Sequence, residues 1–214
     1  MNKIVHFKSI TQDIRKKFLI SFNYIKNYIS KHKIKSTLLI ILIIILFYPI
    51  SYPFKNIPNS TMILDKDGKM LGAYIAKDGQ WRFPEVDKVP EKYAKALILF
   101  EDKRFYYHPG VDPISIIRAF QTNIKAGHIV SGGSTISMQV IRISRGRTGR
   151  SYFDKLIEMF LAFKLELKYS KKEILKMYSS YVPFGGNVVG LNAASLRYFG
   201  RKSSELTWAE ASLL

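Results

Sequence analysis

PEKYAKALILFEDKRFYYHPGVDPISIIRAFQTNIKAGHIVSGGSTISMQ, residues 90–139, is the stretch on which the fold turns. Three helices are punctuated in it by their own caps. Pro90 opens the first, which carries Leu97 and Phe100 and is expected to reach about Tyr107. Asp112-Pro113 sets an N-cap before a first-turn proline, and Gly127 closes that second helix. Ser134 or Thr135 caps a third, ISMQVIRI. Outward from there, TMILDKDGKMLGAY (61–74) reads as a hairpin around Asp67-Gly68. A longer helix is expected from about Ser151 to Lys168, with Phe153, Leu156, Ile157, Phe160 and Leu161 at helical spacing. Another starts near Ser170, and Tyr181 to Gly190 reads as an irregular loop. Thr207-x-x-Glu210 is a capping box whose helix meets the chain's end at Leu214, so the domain is expected to be truncated there. The expected class is mainly α with a small β-hairpin region.

The 214 residues hold 34 Lys+Arg against 16 Asp+Glu, a net charge of +18, and no cysteine. Disulfides, thiol catalysis and cysteine-ligated metals are excluded. With only His6, His32, His108 and His128, a multi-histidine zinc site is not expected. The 47% hydrophobic and 14% aromatic content excludes a wholly disordered chain. Residues 1–35 carry eight Lys and Arg15 against Asp13 alone. They precede STLLIILIIILFYPISYPF, residues 36–54, which bears no charge. At about 1.5 Å per residue this run covers roughly 28 Å, enough for a bilayer core. Tyr48, Tyr52 and Phe54 then stand where an interfacial aromatic belt would. The expected organisation is a basic cytoplasmic tail (1–35), one transmembrane anchor (36–54) and an extracytoplasmic domain (55–214). A cleaved signal peptide fits less well, since no small-residue cleavage site follows; a buried soluble helix is the other alternative. Anionic lipid headgroups are a simpler partner for the leader than nucleic acid, because the leader abuts the span.

Three segments could carry chemistry. In EDKRFYYHPG (101–110), Glu101, Phe105 and His108 fall at helical offsets 0, +4 and +7. A carboxylate against aromatic rings loses solvation and becomes a better base near neutrality. An acid at a helix end, paired with Arg104, is the plainer alternative. In SGGSTISMQVIR (131–142), two glycines before a capped helix leave backbone N–H groups for an anion, and Thr135, Gln139 and Arg142 continue a polar stripe. A simple glycine turn explains the same residues. In DKLIE (154–158), Glu158 interrupts an apolar helix with Lys155 one turn behind, as a surface ion pair would too. Arg142, Arg145, Arg147 and Arg150 crowd nine residues, suiting either a solvated loop or a phosphate-bearing ligand. A serine-lysine acyl-transfer pattern occurs only at Ser30 to Lys33, and neither a G-x-S-x-G elbow nor a P-loop is present.

Taken in order, EDKRFYYHPG, GGSTISMQ (132–139), the Lys155-x-x-Glu158 helix, SKKEILKMY (170–178) and GLNAASLRYFGR (190–201) resemble glycosyltransferase family 51, the peptidoglycan polymerases. The resemblance covers about Pro58 to Leu214. PFGGN (183–187) and Met138-Gln139 look most like the bifunctional penicillin-binding members, in which a transpeptidase domain follows. The resemblance implies a lysozyme-like helical domain with a smaller membrane-dipping part, and lipid II and the growing glycan strand as substrates. It puts the catalytic base on Glu101 and the second glutamate on Glu158, near the departing pyrophosphate, where it positions that group or helps hold a divalent cation (Mg or Mn). Asp102, Phe105, His108, Gly133, Ser134, Thr135, Gln139, Arg142, Arg150 and Lys155 fall on substrate-binding positions. It implies the cytoplasmic (inner) membrane and further cell-wall synthesis proteins as partners.

Three positions depart from the family pattern: Asp154 where Arg often precedes Lys155, Lys176 in place of a Glu, and Ser180 in place of an Asn. Arg150, one turn earlier, would compensate Asp154. Two other readings share these residues: a lysozyme-like enzyme that cleaves peptidoglycan with a glutamate acid, and an inactive scaffold of cell-wall synthesis.

Overall fold

The computed structural model describes residues 50–146 and 151–214, with Lys17, His32, Lys35, Thr37, Ile44 and Tyr48 before them. Most of the basic tail and of the apolar run, and Arg147 and Arg150, lie outside the described residues. Among the described residues no helix is long and apolar enough to cross a membrane.

The elements from Ile50 onward are β1 (Thr61–Leu64), β2 (Met70–Tyr74), β3 (Trp81–Arg82), α1 (Glu91–Glu101), α2 (Pro113–Ala126), α3 (Ile136–Ser144), α4 (Tyr152–Lys168), α5 (Lys171–Tyr181), β4 (Val188–Val189), α6 (Leu191–Phe199) and α7 (Trp208–Leu213). The mainly helical expectation holds. So does the hairpin: β1 and β2 pair antiparallel, and Asp65 Oδ1 accepts the N–H groups of Asp67 and Lys69 to close the turn. In the stretch read as an irregular loop, β4 pairs parallel with the distant β3.

The caps work locally. Asp112 accepts from Ile114 and Ser115, Thr135 from Met138, and Ser151 from Phe153. Ser170–Glu173 and Thr207–Glu210 each form a complete capping box. α3 is the centre of the molecule. Ile136, Ser137, Met138, Val140 and Ile141 are all buried, so apolar residues occupy most of its faces, and it packs on both α4 and α5. Phe105, Leu165, Ile174 and Leu191 complete the same core. α7 packs on α1, and a smaller core under the hairpin holds Phe83, Val188, Ala193 and Ala194.

Two expectations need correction. The first helix does not run to Tyr107. It ends at Glu101, Asp102 leaves the helical region at φ −155°, and a separate 3₁₀ turn holds Phe105–Tyr107. The cause is tertiary: Asp102 is drawn inward to accept from His108 Nε2 and from the Ile136 N–H, while Phe105 is fully buried. Glu101, Phe105 and His108 therefore do not share one helical stripe. Tyr52 and Phe54, read as an interfacial belt, belong instead to the folded unit. Phe54 is buried and stacks on Tyr181 with ring centroids 3.9 Å apart, and the Tyr52 and Tyr181 hydroxyls both donate to Glu85.

Candidate active site

α3 joins two acidic residues contributed by two other helices. Its first turn starts at Thr135, whose hydroxyl donates to the Gly110 carbonyl at 2.6 Å, tying the helix to the loop that follows Glu101. Gly110 sits at φ +92°, and a Cβ there would lie 2.6 Å from the Ala162 carbonyl oxygen, so only glycine lets the loop cross α4 this closely. Gly133 answers a similar demand, since its Cβ would meet the Ile116 backbone of α2 at 2.9 Å. The glycines of GGST thus serve close packing as well as an open mouth.

From the first turn of α3, Gln139 Nε2 donates to Glu101 Oε2 at 2.6 Å. Glu101 is half-buried at the last turn of α1 and opens on a cleft of about 480 Å³ lined also by Tyr93, Phe100, Tyr178 and Leu213. One turn further along, Arg142 makes a two-pronged contact with Glu158, Nε to Oε1 at 2.9 Å and a terminal nitrogen to Oε2 at 3.0 Å. Lys155 Nζ lies 3.5 Å from the same Oε2. Ser134 Oγ accepts from Lys155 at 2.6 Å and from Arg142 at 3.3 Å. Together with Gly133, Ser134, Arg142, Lys155 and Glu158 line a second cleft of about 420 Å³.

Burial pushes the Glu158 carboxyl upward, but the Arg142 hydrogen bonds and charge, and then Lys155, outweigh it and hold its pKa below the usual carboxylate range. Burial and the neighbouring Arg142 lower the pKa of Lys155, against the attraction of Glu158. The second cleft, which Asp154 lines as well, thus holds a guanidinium and an ammonium over an ionised carboxylate, and these two donors make it a cationic cup on the Ser134 side. It suits a ligand carrying several negative oxygens.

Asp102, Phe105, His108 and Thr135 lie beneath this surface, all buried. The Gly110 N–H donates to His108 Nδ1, which leaves Nε2 as the protonated nitrogen facing Asp102. Below them Lys171 donates to the His108 carbonyl and to Glu166, and sits 4.4 Å from the centre of the Phe105 ring. These residues hold the loop that follows Glu101.

The departures have local partners. Arg145 lies 3.5 Å from Asp154, Lys176 lies 3.5 Å from Glu85, and Ser180 Oγ accepts the Val86 N–H. Tyr178, inside SKKEILKMY but not singled out for chemistry in the sequence, donates to Gln139 Oε1 at 3.5 Å.

A resident divalent cation does not fit the residues at Glu158. Both of its oxygens already accept from cations, and among the described residues no three His, Asp or Glu groups converge.

Escherichia coli penicillin-binding protein 1C is 36% identical over 163 residues, 76% of this chain and 21% of that protein. Aquifex aeolicus penicillin-binding protein 1A is 36% identical over 158 residues, 73% of this chain and 21% of the relative. Penicillin-binding protein 1A of Neisseria flavescens is 38% identical over 154 residues, 71% and 19%. The chain spans about a fifth of the length of the curated relatives it matches. The transglycosylase family matches residues 67–214, a span that takes in both glutamates, α3 and every residue of the cationic cup, and the chain belongs to that family.

Proposed function

We propose that this chain is a peptidoglycan glycosyltransferase that polymerises lipid II into glycan strands. Family membership supports the reaction class. The observation that carries the assignment of roles is the unequal treatment of two glutamates by one helix, α3: a neutral amide beside Glu101, two cations on Glu158. Glu101, which has no cationic partner among the described residues, takes the proton of the acceptor sugar's 4-hydroxyl. The oxygen so released attacks the anomeric carbon of the growing chain with inversion, and the bond to the polyprenyl pyrophosphate breaks. Arg142 and Lys155 stabilise the charge that develops on the leaving pyrophosphate, with Ser134 holding the Lys155 ammonium in place. Glu158 keeps both cations aimed. A Mg or Mn ion enters this reading with the pyrophosphate, as part of the substrate.

The domain reading is a lysozyme-like transglycosylase fold on a single-pass anchor (36–54), with the tail cytoplasmic, the domain outside the inner membrane and other cell-wall synthesis proteins as partners. The uncharged, aliphatic part of that run, Leu38 to Phe47, supports the anchor, while Tyr52 and Phe54 at its end belong to the folded unit. An apolar face supports contact with lipid. Ile114, Ile117, Phe120 and Ile124 of α2 are all exposed, as are Ile129 and Tyr152 at the rim of the cationic cup, where a polyprenyl chain would leave it.

The test is incubation of the detergent-solubilised chain with fluorescent lipid II and Mg²⁺ or Mn²⁺, products resolved by size, beside Glu101→Gln. A glycan ladder reduced by about 10²–10⁴ in the variant is expected, the usual worth of a general base. Shortening of added glycan strands instead of a ladder overturns the polymerase in favour of a hydrolase. No turnover of either substrate favours the scaffold.

A further inference from the structure

The Gln139 side chain stands between two groups of opposite need. Its Nε2 donates to Glu101 Oε2 at 2.6 Å, and its Oε1 accepts from the Tyr178 hydroxyl at 3.5 Å. Turned over, the amide would set Oε1 against the carboxylate, two acceptors facing one another. While Glu101 is ionised, its own charge prevents that. Once Glu101 is protonated, its O–H can donate to a reversed amide, and reversal then stabilises the neutral acid. A hydroxyl already donating to Oε1 opposes the reversal, because the turned amide takes that acceptor away and leaves the phenol oxygen facing only a donor.

We propose that Tyr178 is a positioning residue for Glu101, acting through Gln139: its hydroxyl fixes which end of the amide meets the carboxylate and so favours the form that can accept a proton. This rests on Glu101 being the base of the proposed reaction. Tyr178 is 5% exposed. Burial, and then the Glu101 charge, push its hydroxyl well above the ordinary tyrosine range, so it remains a donor throughout the working pH. The other groups facing Glu101 are consistent with a relay through the amide. α1 itself contributes Tyr93, whose hydroxyl is also pushed up, by burial first and then by Tyr178 and Glu101. α3 contributes the neutral Gln139. α7 lines the cleft with Ala211, Ser212 and Leu213, while its Glu210 is turned to Arg201 at 3.5 Å.

The experiment is Tyr178→Phe in the full chain, which removes one oxygen and keeps the ring. The expected result is an acid limb of kcat/KM for lipid II displaced to higher pH, with about three- to tenfold loss on that limb and an unchanged KM on the upper plateau, the scale of one neutral hydrogen bond. In a Gln139→Ala background the same substitution should have almost no further effect, because the relay is already cut. The side-chain amide nitrogen of Gln139, followed by ¹⁵N NMR against pH, supplies a readout independent of turnover. Its titration midpoint reports Glu101 and should rise in Tyr178→Phe. If the wild-type chain makes no polymer but the midpoint rises, the relay stands and the polymerase reading fails. An unmoved acid limb or midpoint, or an undiminished effect of Tyr178→Phe in Gln139→Ala, overturns the proposal and leaves Tyr178 a packing residue.

Discussion

Two successive turns of α3 place the same residue type in opposite surroundings. Gln139 and Arg142 are three positions apart, about 4.5 Å along the axis. The first offers Glu101 a neutral donor, in a cleft that two protonated tyrosines, Tyr93 and Tyr178, also line. The second clamps Glu158 with a guanidinium and, beside it, an ammonium. A carboxylate clamped by two cations is held ionised and is a poor proton acceptor. Environments that push like groups apart are how one site divides acid–base work from charge placement. The difference is thus between a group that reacts and a group that aims others.

The sharpest way to break this contrast is to neutralise each glutamate in turn. Glu101→Gln should remove polymerisation by about 10²–10⁴ and leave the melting temperature nearly unchanged, since no cation is stranded. Glu158→Gln should also lower activity, but it strands Arg142 and Lys155 beside each other. The loss of a charged acceptor costs about 1–3 kcal/mol, here toward the lower end because both cations are roughly two-fifths exposed. That corresponds to a fall of several degrees in Tm, read by calorimetry. Equal stability losses in the two variants would mean that both glutamates are structural.

The chain punctuates itself more legibly than it displays its site. Asp112, Thr135, Ser151, Ser170 and Thr207 cap helices in the structure as their local patterns require, because a cap is decided within four residues. Glu101, Gln139, Arg142 and Glu158 were nameable as candidates, but the pairing of Glu101 with Gln139 and of Arg142 with Glu158 joins helices that only packing brings together. Where periodicity was trusted too far, a distant partner had intervened. Asp102 leaves α1 for a backbone N–H 34 residues away, which turns the apparent Glu101–Phe105–His108 stripe into one surface residue and two buried ones. Hydropathy likewise merged Tyr52 and Phe54 into the apolar run, since it carries no record of Glu85 or of the Tyr181 ring that hold them in the folded unit. Tyr178 escaped notice for a similar reason: its motif reads as a core helix, and its hydroxyl gains meaning only from Gln139.

Exchange of Arg142 for Lys should have a smaller effect and sharpens the Glu158 side of the contrast. Lysine preserves the charge, but a single ammonium cannot reproduce the parallel contacts of Arg142 with both Glu158 oxygens while also reaching Ser134. Lipid II turnover should show a KM raised several-fold, with the stability loss below that of Glu158→Gln. An unchanged KM would mean that only charge, and not the planar fork, matters in the cup.

The smallest effect expected is on the acid side of the stability curve. Glu158 titrates in the folded chain below its unfolded value, because the favourable contacts with Arg142 and Lys155 exceed the cost of burial. Its contribution is therefore complete above the ordinary carboxylate range and is lost as pH falls through the folded value. Chemical unfolding of the wild-type chain followed from neutral pH downward should show stability declining across that range. In Glu158→Gln the same decline should be shallower, since one of the groups responsible for it no longer titrates. Asp112, held low by Arg104 and by its cap after overcoming burial, continues to titrate in that variant, so the slope flattens without vanishing. Should Glu158→Gln leave the acid slope untouched, the clamp on Glu158 contributes nothing to folding. Arg142 and Lys155 would then be held for the ligand alone, and the contrast between the two turns of α3 would be one of binding rather than of stability.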